Sequence, residues 1–236
     1  MPALNLRAMK HSGKARKAAF KMILITLALV LLVPVIGTVA VFIGGAMVTV
    51  SVFLVVLWLG FAVFTLYFFR DPTPRVPAGK NLVISPAHGK VDAIGTTTEP
   101  KFMGGECQRI SIFLSVMNVH VQNAPVSGRV AFFKYTEGQF LNAMSADSAI
   151  HNENVLIGIE AAEPRGVKIG VRLLAGLIAR RIVPWVELGD EFARGDRISL
   201  IQFGSRADVY LPRDAVIKIK LGDRVVGGET VLAAFE

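Results

Sequence analysis

The pattern of apolar and polar positions divides the chain in two. From Met22 to Phe69 no residue is charged, a run of 48 positions with no polar alternation. A helical membrane crossing takes about 20 residues, so the run predicts two helices over residues 22–69, with Gly44-Gly45 near the middle as the turn. Pro34 and Gly37 leave a re-entrant or interfacial first segment as the alternative. After Arg70-Asp71-Pro72-Thr73-Pro74 the pattern changes, because prolines spaced this closely disfavour helix and mark a linker. Short β-branched runs punctuated by glycine follow: Leu82–Ile84, Lys90–Ile94, Arg109–Leu114, Gly128–Phe133, Val155–Glu160, Val167–Leu174, Arg197–Phe203, Asp208–Leu211, Val216–Ile219 and Thr230–Phe235. Their length and spacing predict a mainly β sandwich or barrel over residues 70–236. Gly176–Arg181 reads as a short helical turn.

Two late stretches share one pattern. Gly189-Asp190, an apolar residue at Phe192, Gly195-Asp196 and Ile198 match Gly222-Asp223, Val225, Gly228-Glu229 and Val231. Glycine permits tight turns and the β-branched residue starts the next strand. The pair resembles the turns of biotinyl/lipoyl-type hybrid barrel-sandwich domains, and so predicts that fold without predicting a function.

Charge sharpens the division. The chain has 26 basic and 18 acidic residues, and its first 70 residues hold seven of the basic ones and none of the acids. That leaves 19 basic and 18 acidic groups for the rest, a net of +1. A nucleic-acid-binding domain carries its basic footprint on the folded surface, so that class is excluded. A basic arm over residues 1–21, next to an apolar run flanked by Arg70 and Arg75, suits the cytoplasmic side of an anionic membrane. One cysteine, Cys107, excludes an intramolecular disulfide framework, and no metal-ligand spacing is present.

Several motifs stand in order along the chain: Tyr67-Phe68-Phe69-Arg70-Asp71-Pro72, Val83-Ile84-Ser85-Pro86-Ala87-His88-Gly89-Lys90-Val91, Asn118-Val119-His120-Val121-Gln122-Asn123-Ala124-Pro125-Val126-Ser127-Gly128, Ala175-Gly176-Leu177-Ile178-Ala179-Arg180-Arg181-Ile182, and Ile201-Gln202-Phe203-Gly204-Ser205-Arg206-Ala207-Asp208-Val209. Together they resemble the phosphatidylserine decarboxylases of the short bacterial type, over nearly the whole chain. A Gly-Ser pair alone carries no information; four ordered matches around it do.

The resemblance implies a pyruvoyl enzyme in a bacterial inner membrane, its catalytic domain on the cytoplasmic side, acting on phosphatidylserine. Decarboxylation of an amino acid leaves a carbanion that needs an electron sink, and the family makes the sink from its own backbone. Ser205 would attack the Gly204 carbonyl, giving a large chain 1–204 and a small chain 205–236 that begins with the pyruvoyl group. Glycine leaves the carbonyl open, and serine supplies both nucleophile and eliminable oxygen. His120 falls at the family's catalytic histidine and is the candidate general acid; on residue type alone it reads as a structural histidine. Asn118 either orients that ring or caps a turn.

The chain departs from the family at His88, where aspartate is usual. His88 either serves as the base for self-cutting, with Asp92 in support, or impairs processing. Asn123 stands where longer members have a second histidine. Arg180 and Arg181 read as a lipid-phosphate contact or as a solvated pair. Rival readings are a non-enzymatic membrane adaptor, for which the long heptad run is missing, a biotinyl or lipoyl carrier, which lacks the hairpin lysine, and a decarboxylase of another serine-headed lipid. Assembly into a homo-oligomer is left open.

Overall fold

A computed structural model describes residues 14–138, 152–176, 181–201 and 205–236, with side chains from residue 24 onward. It forms two compact units, residues 1–63 and 64–236.

Helix α1 (Lys14–Phe68) is continuous, so the expected two-helix hairpin is corrected to one helix through Pro34, Gly44 and Gly45. The physical reason is local. Ending a helix leaves unpaired N–H and C=O groups that need polar partners, and the polar side chains around Gly44-Gly45 are Thr38, Thr49 and Ser51, of which the two threonine hydroxyls bond back to the Val35 and Gly45 carbonyls. Each glycine costs a helix only about 1 kcal/mol. The segment Leu24–Phe68 contains an 18-residue stretch of mean hydropathy 2.7, and is long and apolar enough to cross a membrane.

Strands follow in chain order: β1 (Leu82–Ile84), β2 (Gly89–Glu99), β3 (Gly105–Leu114), β4 (Val121–Asn123), β5 (Gly128–Thr136), β6 (Asn154–Ala161), β7 (Lys168–Ala175), β8 (Ile182–Pro184), β9 (Glu191–Phe192), β10 (Arg197–Ile201), β11 (Ser205–Leu211), β12 (Val216–Ile217), β13 (Arg224–Val225) and β14 (Val231–Ala234). The described part of the Gly176–Arg181 turn, Gly176 and Arg181, is not helical; residues 177–180 lie outside the described residues.

Three antiparallel sheets result. One has the order β13-β2-β3-β11-β7-β6-β5-β9, and two smaller ones are β1-β14-β12 and β4-β10-β8. Among the described residues none closes on itself, so the expected barrel is corrected to open sheets around a main core, with a smaller apolar cluster at Cys107, Leu156 and Tyr210. The repeated turns explain the ends of the large sheet. Gly189-Asp190 leads into β9 and Gly222-Asp223 into β13, two-residue strands at its opposite edges. In each turn the aspartate Oδ2 accepts the N–H three residues back, from Glu187 and Lys220, at 2.8 Å. An edge strand this short offers little unpaired ladder.

β11 runs between β3 and β7, pairing Ser205 with Leu114 and Ala175. Side chains alternate across a strand. Ala207, Val209 and Leu211 therefore join the main core, with Ile110, Ile112, Val171 and Leu173 from the neighbouring strands. Ser205 lies on that same face.

Candidate active site

Ser205 is fully buried, and its Oγ makes no hydrogen bond among the described residues. Leaving a buried hydroxyl unpaired costs about 1–3 kcal/mol; among the described residues the buried Ser111 hydroxyl on β3 is in the same state, and what distinguishes Ser205 is its place at the head of β11. Gly204 lies outside the described residues. The strand before it, β10, ends at Ile201, whose N–H donates to the His120 carbonyl at 3.1 Å. That bond ties the approach to the Gly204-Ser205 junction to His120.

His120 is fully buried. Its ring stacks on Phe68, centroids 4.3 Å apart. Its Nδ1 lies 2.9 Å from the Asn118 carbonyl; a carbonyl only accepts, so Nδ1 carries the hydrogen and Nε2 the basic lone pair. Asn118 thus orients the ring through its main chain. Its side chain caps the turn instead, Oδ1 accepting from the Ser115 N–H at 2.9 Å and hydroxyl at 2.8 Å.

Burial is the largest influence on His120 and pulls its pKa down to about 4; the Asn118 bond opposes this, while Arg70 and His88 add to it. The imidazole is neutral at pH 7. An unfolded chain protonates it near 6.5, so between pH 6.5 and 4 the unfolded state binds the extra proton and the fold loses stability as pH falls, by about 3 kcal/mol for this group. His120→Gln should flatten that part of the pH dependence. Urea midpoints at pH 7 and pH 4 for both proteins check it; an equal drop in both would remove His120 as the cause.

His88 sits in the loop between β1 and β2. That loop is pinned at three points: Asn123 N–H donates to the Pro86 carbonyl, Gly228 N–H to Ser85, and Ser85 Oγ to Ala87, at 2.8, 2.8 and 2.7 Å. Gly227 runs so close that an added Cβ would lie 3.0 Å from His88 Cδ2 and 3.2 Å from Asn123 Oδ1. Gly228 has a φ of +77° and would meet Pro74 at 2.5 Å, so that position requires glycine, while a side chain at Gly227 would have to displace His88 or the Ala87 backbone by a few tenths of an ångström. Burial, then Arg70, lower the His88 pKa, and Glu229 opposes them. A charge on His88 disfavours protonation of His120.

Asn123 is a buried bridge, its Nδ2 donating to the Gly195 carbonyl at 2.8 Å. Asp92 is not brought to His88. It occupies a β-bulge between Val91 and Ala93 and pairs with Arg206 at 3.6 Å; a bulge re-aims a side chain. Arg181 is exposed, and Arg180 lies outside the described residues.

Sequence reasoning gave no role to three residues that the fold brings here. Phe68 covers His120. Arg70 bonds the Tyr67 and Met117 carbonyls at 2.7 Å each and acts on both histidines. Glu229 is the acidic group acting on His88. The signal for Arg70 was present: it is the first charge after 48 uncharged positions.

A family model described as phosphatidylserine decarboxylase matches residues 61–233, from the last turns of α1 through β14. The chain belongs to the phosphatidylserine decarboxylase family. Relatives named phosphatidylserine decarboxylase proenzyme agree. One from Desulfotalea psychrophila is 48% identical over 169 residues, 72% of this chain and 78% of the relative. Those from Symbiobacterium thermophilum and Geobacter metallireducens are each 42% identical, covering 80% of this chain and 90% and 85% of theirs. The family match includes Phe64–Phe68, which belong to the compact unit 64–236 although they end the apolar helix.

Proposed function

We propose that this chain is a proenzyme that cuts itself between Gly204 and Ser205 and then decarboxylates phosphatidylserine to phosphatidylethanolamine. The observation that carries the reading is Ser205 Oγ, buried and unbonded among the described residues at the head of the central strand β11. A hydroxyl so placed is available to react with its own backbone. Ser205 Oγ adds to the Gly204 carbonyl, the C–N bond breaks and an ester forms. Elimination of the ester oxygen frees residues 1–204 as the large chain. Water then displaces the nitrogen of residue 205 as ammonia, leaving a pyruvoyl group on residues 205–236. Once formed, that group supplies an electron sink for decarboxylation.

The remaining roles fall to this chain's own side chains. His88, kept neutral by burial and Arg70, accepts the Ser205 proton during cutting. His120 delivers a proton to the substrate carbon. Burial and Arg70 hold it neutral at pH 7, and a lipid phosphate beside Arg70 would offset that cation and raise the proton affinity of the ring. Holding Arg70 on the phosphate also leaves the departing carboxylate unpaired, which favours the transition state over the bound lipid. Arg180 and Arg181 are a second lipid contact in this reading.

Intact-mass measurement of purified protein tests the proposal. It should show a small chain beginning at residue 205 with its amino end blocked, together with release of carbon dioxide from phosphatidylserine. A single inactive chain of 25.5 kDa would sink it, and is what an adaptor or carrier would give.

The catalytic unit is proposed to face the cytoplasm of a bacterial inner membrane, the location that the family resemblance implies; basic residues stand at both ends of the apolar helix. Removing residues 1–63 should move the protein to the soluble fraction with its fold intact. Removing residues 1–70 should also unfold it, since Phe68 is fully buried against His120. Far-ultraviolet dichroism and sedimentation of both truncations decide this; equal stability would show that Phe68 is dispensable.

A further inference from the structure

The face of β11 opposite Ser205 carries a set of charges that the reaction above does not use. Arg206 is nearly buried, its side chain 11% exposed. Its Nε donates to Asp208 Oδ1 at 3.2 Å, two residues along the same strand. Its Nη2 reaches across the intervening β3 to Asp92 Oδ1 at 3.6 Å on β2. Asp92 meets it because of the β2 bulge, which places one extra residue opposite β3. Two strands of the large chain thus flank or hold the second residue of the small one.

This arrangement has little to do while the chain is whole, since residue 205 is then covalently tied to 204. Cutting turns the first residue of β11 into a chain end, and chain ends fray unless tied down. A group that must meet the substrate at fixed distance and angle tolerates little of that motion. We propose that Asp92 and Arg206 form a clamp that holds the new amino terminus of the small chain, a positioning role that begins when the chain is cut. The role rests on the self-cutting reading above. Ser205 and Arg206 alternate across the strand, so the clamp works from behind the sheet and leaves the Ser205 side open to the lipid.

Asp92→Asn tests it, because the Asp92 side chain is 28% exposed and the change keeps its shape, so the fold should survive. The protein is the full chain in detergent, in two backgrounds: the processed form and uncut Ser205→Ala. In processed protein, amide hydrogen exchange in the peptide beginning at residue 205 should quicken about tenfold. In Ser205→Ala the same amides should be unaffected by the change. Decarboxylation should lose on the order of tenfold in kcat with KM little altered, as expected for a misplaced reacting group, and the cut fraction should match the parent. Arg206→Lys, which keeps the charge and loses the fork, should fall between.

Equal quickening in both backgrounds would reduce the pair to an ordinary structural ion pair and overturn the clamp. So would unchanged exchange and kcat in processed protein, or an Asp92→Asn chain that no longer cuts while its parent does. A parent that itself stays one chain would instead bring down the self-cutting reading, and the clamp with it; the parent's band pattern separates the two failures.

Discussion

Replacing Ser205 with alanine is expected to abolish chain cutting, and replacing His88 with aspartate to accelerate it. Alanine removes the only oxygen that can form the ester, so no small chain should appear on any timescale. The His88 effect follows from the charges around it. Arg70 disfavours protonation of both histidines, and a charge on His88 disfavours protonation of His120. An imidazole that accepts the Ser205 proton there becomes a cation beside a cation. Glu229 opposes this, and its Oε1 also accepts the Arg75 N–H at 3.0 Å.

An aspartate at position 88 reverses those signs. It would face Arg70 and stay ionised, and it would stabilise a protonated His120, as carboxylates stabilise imidazolium elsewhere. Each unit of pKa regained is worth about tenfold in proton-accepting equilibrium, so cutting should quicken by on the order of tenfold or more. With His88 in place, fresh protein should contain much uncut chain of 25.5 kDa. Time-resolved mass spectrometry measures both; rapid, complete conversion with His88 present would show that this carboxylate is dispensable.

His120→Ala is expected to leave chain cutting in place and to lower decarboxylation by on the order of 10²–10⁴-fold, the usual contribution of a general acid. Three features single this ring out: its fixed tautomer, its cover by Phe68 and its coupling to Arg70. A cavity forms when the ring is lost, so the variant should also be less stable by about 2–4 kcal/mol. Activity should therefore be compared at a temperature where both proteins are folded. Near-normal turnover would remove His120 from the chemistry. Failure to cut would move its role to maturation.

Much of the β region was legible because its strands are long enough to show their composition. β3, β5, β6 and β7 match the β-branched runs within a few residues. The strands that the sequence hid are β4, β8, β9 and β13, of two or three residues each. Such pieces have no period to detect and exist because a neighbouring strand pairs with them. The helix was misjudged for a different reason: glycine pairs signal turns only where polar partners can take over the backbone groups. In the candidate site, ordered motifs singled out His120 and Ser205, and both are fully buried. Asp92 was not, since alternation from His88 ignores the bulge that sends its carboxylate to Arg206. Glu229 reaches His88 from the far end of the sequence, where no local pattern announces it.

The position of β11 bears on whether the processed protein can ever refold. Residues 205–236 supply the strand between β3 and β7, the β12 and β14 members of a second sheet, and the β13 edge of the first. Before cutting, recovering that arrangement from the unfolded state is a unimolecular event, and closing the connecting loop costs little. After cutting it requires two separate polypeptides to meet, so recovery depends on concentration. The uncut Ser205→Ala chain should therefore regain its fold on dilution from denaturant, while the processed protein lets its small chain diffuse away. If the chain cuts itself as proposed, maturation works against refolding: it trades easy reversibility for a reactive end, and a processed molecule that unfolds recovers only by meeting a free partner chain.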